Sequence, residues 1–196
     1  MKKWIAMAAL AGAMPMAANA EILASVEAFG SFSEFDAGGG ANEDSDGFGL
    51  RGRVNLPGTG FFARAELLDE ETDSGDDYTE TRLGGGISTS LTPVLEFTGE
   101  LQYIDGDYAG GEADGYGAFV GLEAGLPIVS LYGRAGLAWL DLDNGPDMDG
   151  TEFTLGAYVG LGIIGLFAEY RMLTLEPDGF ADVDIDGYRL GARVAF

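Results

Sequence analysis

The chain contains no cysteine and no histidine, and its only lysines are Lys2 and Lys3. Without cysteine it has no disulfides and no thiol chemistry. Without histidine or cysteine, a serine- or water-based nucleophile lacks its usual general base, so no catalytic residue can be assigned. Past the first 20 residues, no stretch reaches the roughly 20 consecutive apolar residues that a membrane helix needs. Positive charge is also scarce, with 10 basic residues against 33 acids and a net charge of −23. Nucleic acid should be repelled by such a chain, which suits cations or basic groups as partners. Yet 33 glycines and a mean hydropathy of +0.09 do not fit a disordered acidic polymer.

The N-terminus carries the first positive signal. Lys2 and Lys3 precede an apolar run from Trp4 to Met16, and Ala18-Asn19-Ala20 is a small-residue cleavage site. This pattern predicts a secretory signal peptide over 1–20 and a single domain over 21–196. Cleavage removes both lysines and leaves eight arginines against 33 acids, a net charge of −25.

From there on, apolar residues alternate with others at period two, the signature of strands with two unlike faces. Ala24, Val26, Ala28, Gly30 and Phe32 make one such row, and Val129, Leu131, Gly133, Ala135, Leu137 and Trp139 another. About ten rows recur, each near the 9–11 residues that a tilted strand needs to cross a bilayer. The connections alternate between short and long. The short ones are Leu56 to Gly60, Leu91 to Val94, Leu126 to Val129 and Ile163 to Leu166, most with Pro or Gly. The long ones cover about 36–46, 69–78, 105–115, 141–151 and 175–187. The expectation is an all-β, up-and-down antiparallel transmembrane barrel of ten strands, with eight as the alternative.

Aromatic residues Phe32, Phe48, Tyr103, Tyr116, Trp139, Phe153 and Tyr188 fall at the loop-proximal ends of the apolar rows, as a membrane girdle would. All eight arginines take the opposite parity: Arg51, Arg53, Arg64, Arg82, Arg134, Arg171, Arg189 and Arg193. So do Glu27, Glu66, Glu96, Glu100, Glu123, Glu152 and Glu169. A nearly neutral lumen network is expected, with Glu27 between Arg51/Arg53 and Arg189/Arg193, and Glu123 facing Arg134. Phe29, Phe62, Phe119, Tyr132, Tyr158 and Phe167 also point inward, opposite many glycines, which favours a filled lumen over an open pore.

The 18 aspartates are expected in the five long loops, where they form a solvated acidic rim or a surface for hard cations such as Ca²⁺ or Mg²⁺. Asp182, Asp184, Asp186 and Gly187 begin like a calcium loop, but the acid due six residues after the glycine is Arg193. That leaves at most a weaker metal site. Gly160, Gly162 and Gly165 match a dinucleotide-binding pattern by letter only, at a strand end with no helix following.

In the last nine residues, Tyr188, Leu190, Ala192, Val194 and Phe196 share the apolar parity. Such a strand, ending on phenylalanine, resembles the sorting signal of Gram-negative outer-membrane barrels, which implies the barrel-assembly machinery as a partner. Together with the leader, the alternation and the loop asymmetry, it resembles the small outer-membrane barrel superfamily of the OmpA transmembrane domain and the opacity-type proteins. The resemblance implies an outer-membrane location and contact with lipid and lipopolysaccharide. With no segment after Phe196, the peptidoglycan-binding domain of the larger members is not expected. The enzymes among outer-membrane barrels use histidine, so this resemblance implies a non-enzymatic barrel without a cofactor. Two roles are expected from it: a plugged structural or interaction barrel with acidic loops, or a small cation-preferring, porin-like channel gated by its Arg/Glu pairs.

Overall fold

The computed structural model describes residues 23–36, 42–108, 111–143, 145–177, 179 and 181–196. The leader reading over 1–20 lies outside these residues. Ten strands run antiparallel to their neighbours: β1 (Ala24–Asp36), β2 (Asn42–Asn55), β3 (Phe61–Thr72), β4 (Asp77–Thr92), β5 (Leu95–Tyr108), β6 (Gly111–Gly125), β7 (Val129–Leu142), β8 (Met148–Leu161), β9 (Ile164–Pro177) and β10 (Val183–Ala195). β10 pairs with β1, so the sheet closes into a barrel with no free edge. The eight-strand alternative is thereby set aside.

The pairing register gives the barrel its dimensions. Stepping from Glu27 through Arg51, Glu66, Arg82, Ile104, Gly115, Leu140 and Met148 arrives at Pro177 on β9. Stepping the other way, through Arg193, arrives at Gly165, twelve residues short of Pro177. A shear of twelve over ten strands corresponds to a strand tilt of about 40° and a backbone radius of about 10 Å. A 14-residue strand such as β7 then rises about 35 Å, against an apolar band about 25 Å tall in barrels of this class.

The excess height corrects the expected strand limits. Twelve of the 18 aspartates, among them Asp46, Asp69, Asp105, Asp114, Asp141 and Asp186, lie within strands rather than in loops. The side-chain pattern inverts where the strands leave the apolar band. Below the girdle, Leu190 and Leu137 face out while Arg189 and Arg134 face in. Above it, Asp184, Asp186 and Asp141 face out, while Ile185 and Leu140 are buried inside. The upper barrel thus has the apolar-in, polar-out pattern of a water-soluble sheet. The loops it carries are short. In one of them, the Ser74 N–H donates to Glu43 Oε1 (3.0 Å), and hydrogen bonding from the Ser74 hydroxyl and backbone holds the Glu43 carboxyl below its usual range.

At the other end, Pro57-Gly58-Thr59 and Gly162-Ile163 are tight turns, with Gly58 and Gly162 at φ 70° and 82°. L residues adopt that backbone region reluctantly. The last turn therefore centres on Gly162 rather than on the expected 163–166, since Leu161 pairs with Ile164 directly.

Candidate functional site: the charged lumen

Inward parity on ten tilted strands brings arginine and glutamate side chains together across the lumen. Thirteen of them form one connected network. Arg51 joins Glu27, Glu66 and Glu169, its Nη2 lying 2.8 Å from Glu169 Oε1. Glu66 also holds Arg64 (2.7 Å) and Arg189 (2.8 Å), and Arg64 continues to Glu100 and from there to Arg134. Glu152 gathers Arg82 (2.7 Å), Arg171 (2.9 Å) and Arg134 (3.4 Å). Glu80 closes the chain by binding Arg82 (2.7 Å) and Arg171 (3.1 Å), while Arg193 joins at Glu27 (3.9 Å). Arg53 and Glu96 form a separate, more exposed pair at 4.0 Å.

Shared ligation makes such burial tolerable. A desolvated ion left single would cost several kcal/mol, and Glu66 and Glu152 each answer to three guanidinium groups. Neutral groups complete the shell. The Tyr132 hydroxyl donates to Glu169 (2.8 Å), and Gln102 Nε2 donates to Glu100 (2.8 Å).

Glu123 does not face Arg134. The 126–128 turn sets Gly125 opposite Ser130, which places Arg134 opposite Gly121 and Glu123 opposite Tyr132, one pair too deep. Arg134 meets Glu100 and Glu152 instead. Sequence reasoning also missed Glu70 and Glu80, only 1% and 2% exposed. Both share parity with Glu66 and Arg82; Glu70 was overlooked because 69–78 was read as loop, and Glu80 because it lies between that loop and the apolar row that starts at Leu83. Glu70 accepts hydrogen bonds from Ser45 (2.9 Å) and Ser33 (3.2 Å).

Large inward rings are admitted by glycines on adjoining strands. An added Cβ on Gly49 would stand 2.3 Å from Phe29, on Gly136 2.1 Å from Phe119, and on Gly165 2.2 Å from Tyr158. Buried apolar residues begin among the upper charges, with Leu68 opposite Glu80, Tyr78 opposite Glu70 and Leu173 opposite Glu152, and continue toward the upper end through Leu140 and Leu175. The lumen is therefore filled by ions toward the turn end and, toward the upper end, by hydrocarbon interleaved with Glu70 and Glu80.

The girdle residues sit at one level: Tyr188 pairs with Phe32 and Tyr170, and Tyr116 with Tyr103 and Trp139. Phe48 and Phe153 are exposed at the same height. Leu190, Val194 and Phe196 belong to the β1–β10 closure, where the Phe196 N–H donates to the Ala24 carbonyl.

The calcium-like segment is no loop. Asp184 and Asp186 lie two apart on the outer face of β10, Asp182 precedes the strand, and Asp184 accepts a hydrogen bond from Thr174 (2.7 Å). Extended backbone splays these carboxylates apart, and among the described residues no three His, Cys, Asp or Glu side chains converge as a metal cluster. The described residues likewise hold no catalytic constellation.

No protein-family model and no curated protein matches the chain. Solved structures do. The β domain of the Bordetella autotransporter BrkA is 14% identical, with 89% of this chain and 100% of that chain covered at a TM-score of 0.57. An outer membrane channel from Pseudomonas putida F1 is 10% identical, with 90% and 97% covered at 0.55. A bacterial polysaccharide outer membrane secretin is 9% identical, with 91% and 100% covered at 0.51. At these identities the likeness is one of fold. Apolar outside, charged within and closed without an edge, the chain is a ten-stranded β-barrel of the bacterial outer membrane.

Proposed function

We propose that the protein is a non-conducting interaction barrel: its filled lumen is structural, and its acid-coated upper wall engages the membrane surface through divalent cations. The observation that carries this reading is the pairing of like charges on the outside of the projecting strands. Glu34 lies opposite both Asp44 and Asp186, Asp114 opposite both Asp105 and Asp141, and Asp149 opposite Glu176. Directly opposed like charges destabilise a sheet, each pair by some tenths of a kcal/mol up to about 1 kcal/mol. Among the described residues, no basic side chain relieves them, because all eight arginines face the lumen. A Mg²⁺ or Ca²⁺ ion shared between a wall carboxylate and a lipopolysaccharide phosphate removes that repulsion. The resemblance to opacity-type barrels supports a surface interaction of this kind, and assembly by the barrel machinery accords with the terminal strand.

Thermal unfolding in detergent tests the cation part. Mg²⁺ should raise the midpoint by several degrees over Na⁺ at matched ionic strength, and less so in an Asp105→Asn/Asp114→Asn variant. Equal midpoints in Mg²⁺ and Na⁺ would sink it. Planar-bilayer recordings test the plug, and no reproducible steps are expected. Cation-selective steps that grow on Glu27→Ala or Arg51→Ala would instead establish a channel gated by the network.

A further inference from the structure

The lumen network is not uniform along its length. Around Glu80 and Glu152 the bridges of Arg82 and Arg171 are 2.7–3.1 Å long. Toward the turn end short and long bridges mix: Arg51 still bonds Glu27 and Arg64 holds Glu66 at 2.7 Å, but Arg64 to Glu100 is 3.6 Å, Arg134 to Glu100 3.9 Å, Arg193 to Glu27 3.9 Å and Arg53 to Glu96 4.0 Å. Arg53, Arg64, Arg134 and Arg193 border a cavity of about 140 Å³, which extends between Ser25, Arg53, Glu123 and Tyr158 at the strand ends and Glu169 and Arg189 on its floor. A single water needs only about 10–15 Å³ by the same measure.

We propose that this cavity is a binding site for a small oxyanion, a carboxylate or a phosphate, entering from the periplasm. Its lining holds six arginines, Arg51, Arg53, Arg64, Arg134, Arg189 and Arg193, with Glu27, Glu100, Glu123 and Glu169. Glu66, Glu96 and Glu152 bridge five of the same arginines from outside the lining, so the site is marked by unpartnered donors rather than by net charge. Four of its buried guanidinium nitrogens, Arg64 Nε, Arg134 Nε, Arg134 Nη2 and Arg193 Nε, have no hydrogen-bond acceptor among the described residues. Buried donors without partners are costly, and a planar guanidinium matches the oxygen spacing of a carboxylate or phosphate. Three of the arginines are held by rings: Arg134 lies 3.7 Å from the Phe119 centroid, Arg53 4.0 Å from Phe62 and Arg193 5.3 Å from Tyr158. These cation–π contacts hold the guanidinium groups against the wall. Thr98 and Thr154 add hydroxyls to the wall. A single oxyanion, with several lone pairs on each oxygen, can accept from several of these donors at once. Access is one-sided, since buried apolar residues close the lumen above and short turns lie on the periplasmic side in this class.

The test follows arginine Nε–H resonances of the detergent-solubilised protein during separate titrations with inorganic phosphate and with succinate, at ionic strength held constant with NaCl. Saturable shifts at Arg64, Arg134 and Arg193, with Arg82 and Arg171 unmoved, are expected for at least one anion. Which anion saturates assigns the site to phosphate or to carboxylate. Arg134→Lys should weaken binding at least tenfold. Arg53→Gln, outside the connected network and able to fold without it, should weaken it severalfold with the heat-modifiable gel shift intact. No saturation with either anion, or equal drift of all arginines, means a water-filled cavity and overturns the proposal.

Discussion

Glu152→Gln is expected to lower the free energy of unfolding by about 3–5 kcal/mol, the cost of leaving buried charge without its partner. Three guanidinium groups depend on this carboxylate: Arg82 at 2.7 Å, Arg171 at 2.9 Å and Arg134 at 3.4 Å. Gln keeps the shape and one acceptor oxygen, so packing is nearly unchanged and the loss is electrostatic. Glu80 still holds Arg82 and Arg171, but Arg134 retains only the long contact to Glu100. The comparison is Glu96→Gln. Its side chain is 39% exposed and meets Arg53 at 4.0 Å, so less than about 1 kcal/mol should be lost. Urea unfolding in lipid vesicles, followed by tryptophan fluorescence, measures both. Equal effects at the two sites would show that the network is solvated and carries no special stability.

The second large effect comes from the smallest change. A Cβ at Gly156 would stand 2.4 Å from Tyr132 Cζ and 2.6 Å from its hydroxyl oxygen. Gly156→Ala must therefore evict the Tyr132 ring and break its hydrogen bond to Glu169. Overpacking and the lost charge-assisted bond together should cost about 2–4 kcal/mol. Ordinarily this substitution within a strand stabilises, by about 0.5–1 kcal/mol. The sign should therefore reverse in a Tyr132→Ala background, where the ring is absent. A double-mutant cycle reads this coupling directly. If Gly156→Ala costs the same with and without the ring, the glycine serves the backbone rather than the tyrosine.

Parity made much of this architecture legible. The lipid face, the girdle and the inward turn of all eight arginines follow from period two, which cannot shift by one residue without moving every charge into lipid. Partners across the barrel were harder to read. Glu123 and Arg134 share a face, yet a two-residue offset set by the 126–128 turn separates them. Arg171 and Glu80 meet across the lumen, 91 positions apart, because of a shear that no single strand reveals. The upper barrel was misread for another reason. Asp184-Ile185-Asp186 and Leu140-Asp141-Leu142 also alternate, but with the apolar residues on the arginine side. A search for apolar rows on the lipid parity scores these segments as loops. The inversion itself marks where the bilayer ends.

β1 and β10 are the first and last of the described strands, and the network is stitched across the seam where they meet. Arg189 reaches Glu66 over 123 positions, and Arg51 reaches Glu169 over 118. While the seam is open, those ions have only water to satisfy them, and a half-curled sheet must keep its concave side wet. Drying of the interior is thus the final event of assembly. Its rate is set by bringing distant segments together rather than by forming any one hairpin.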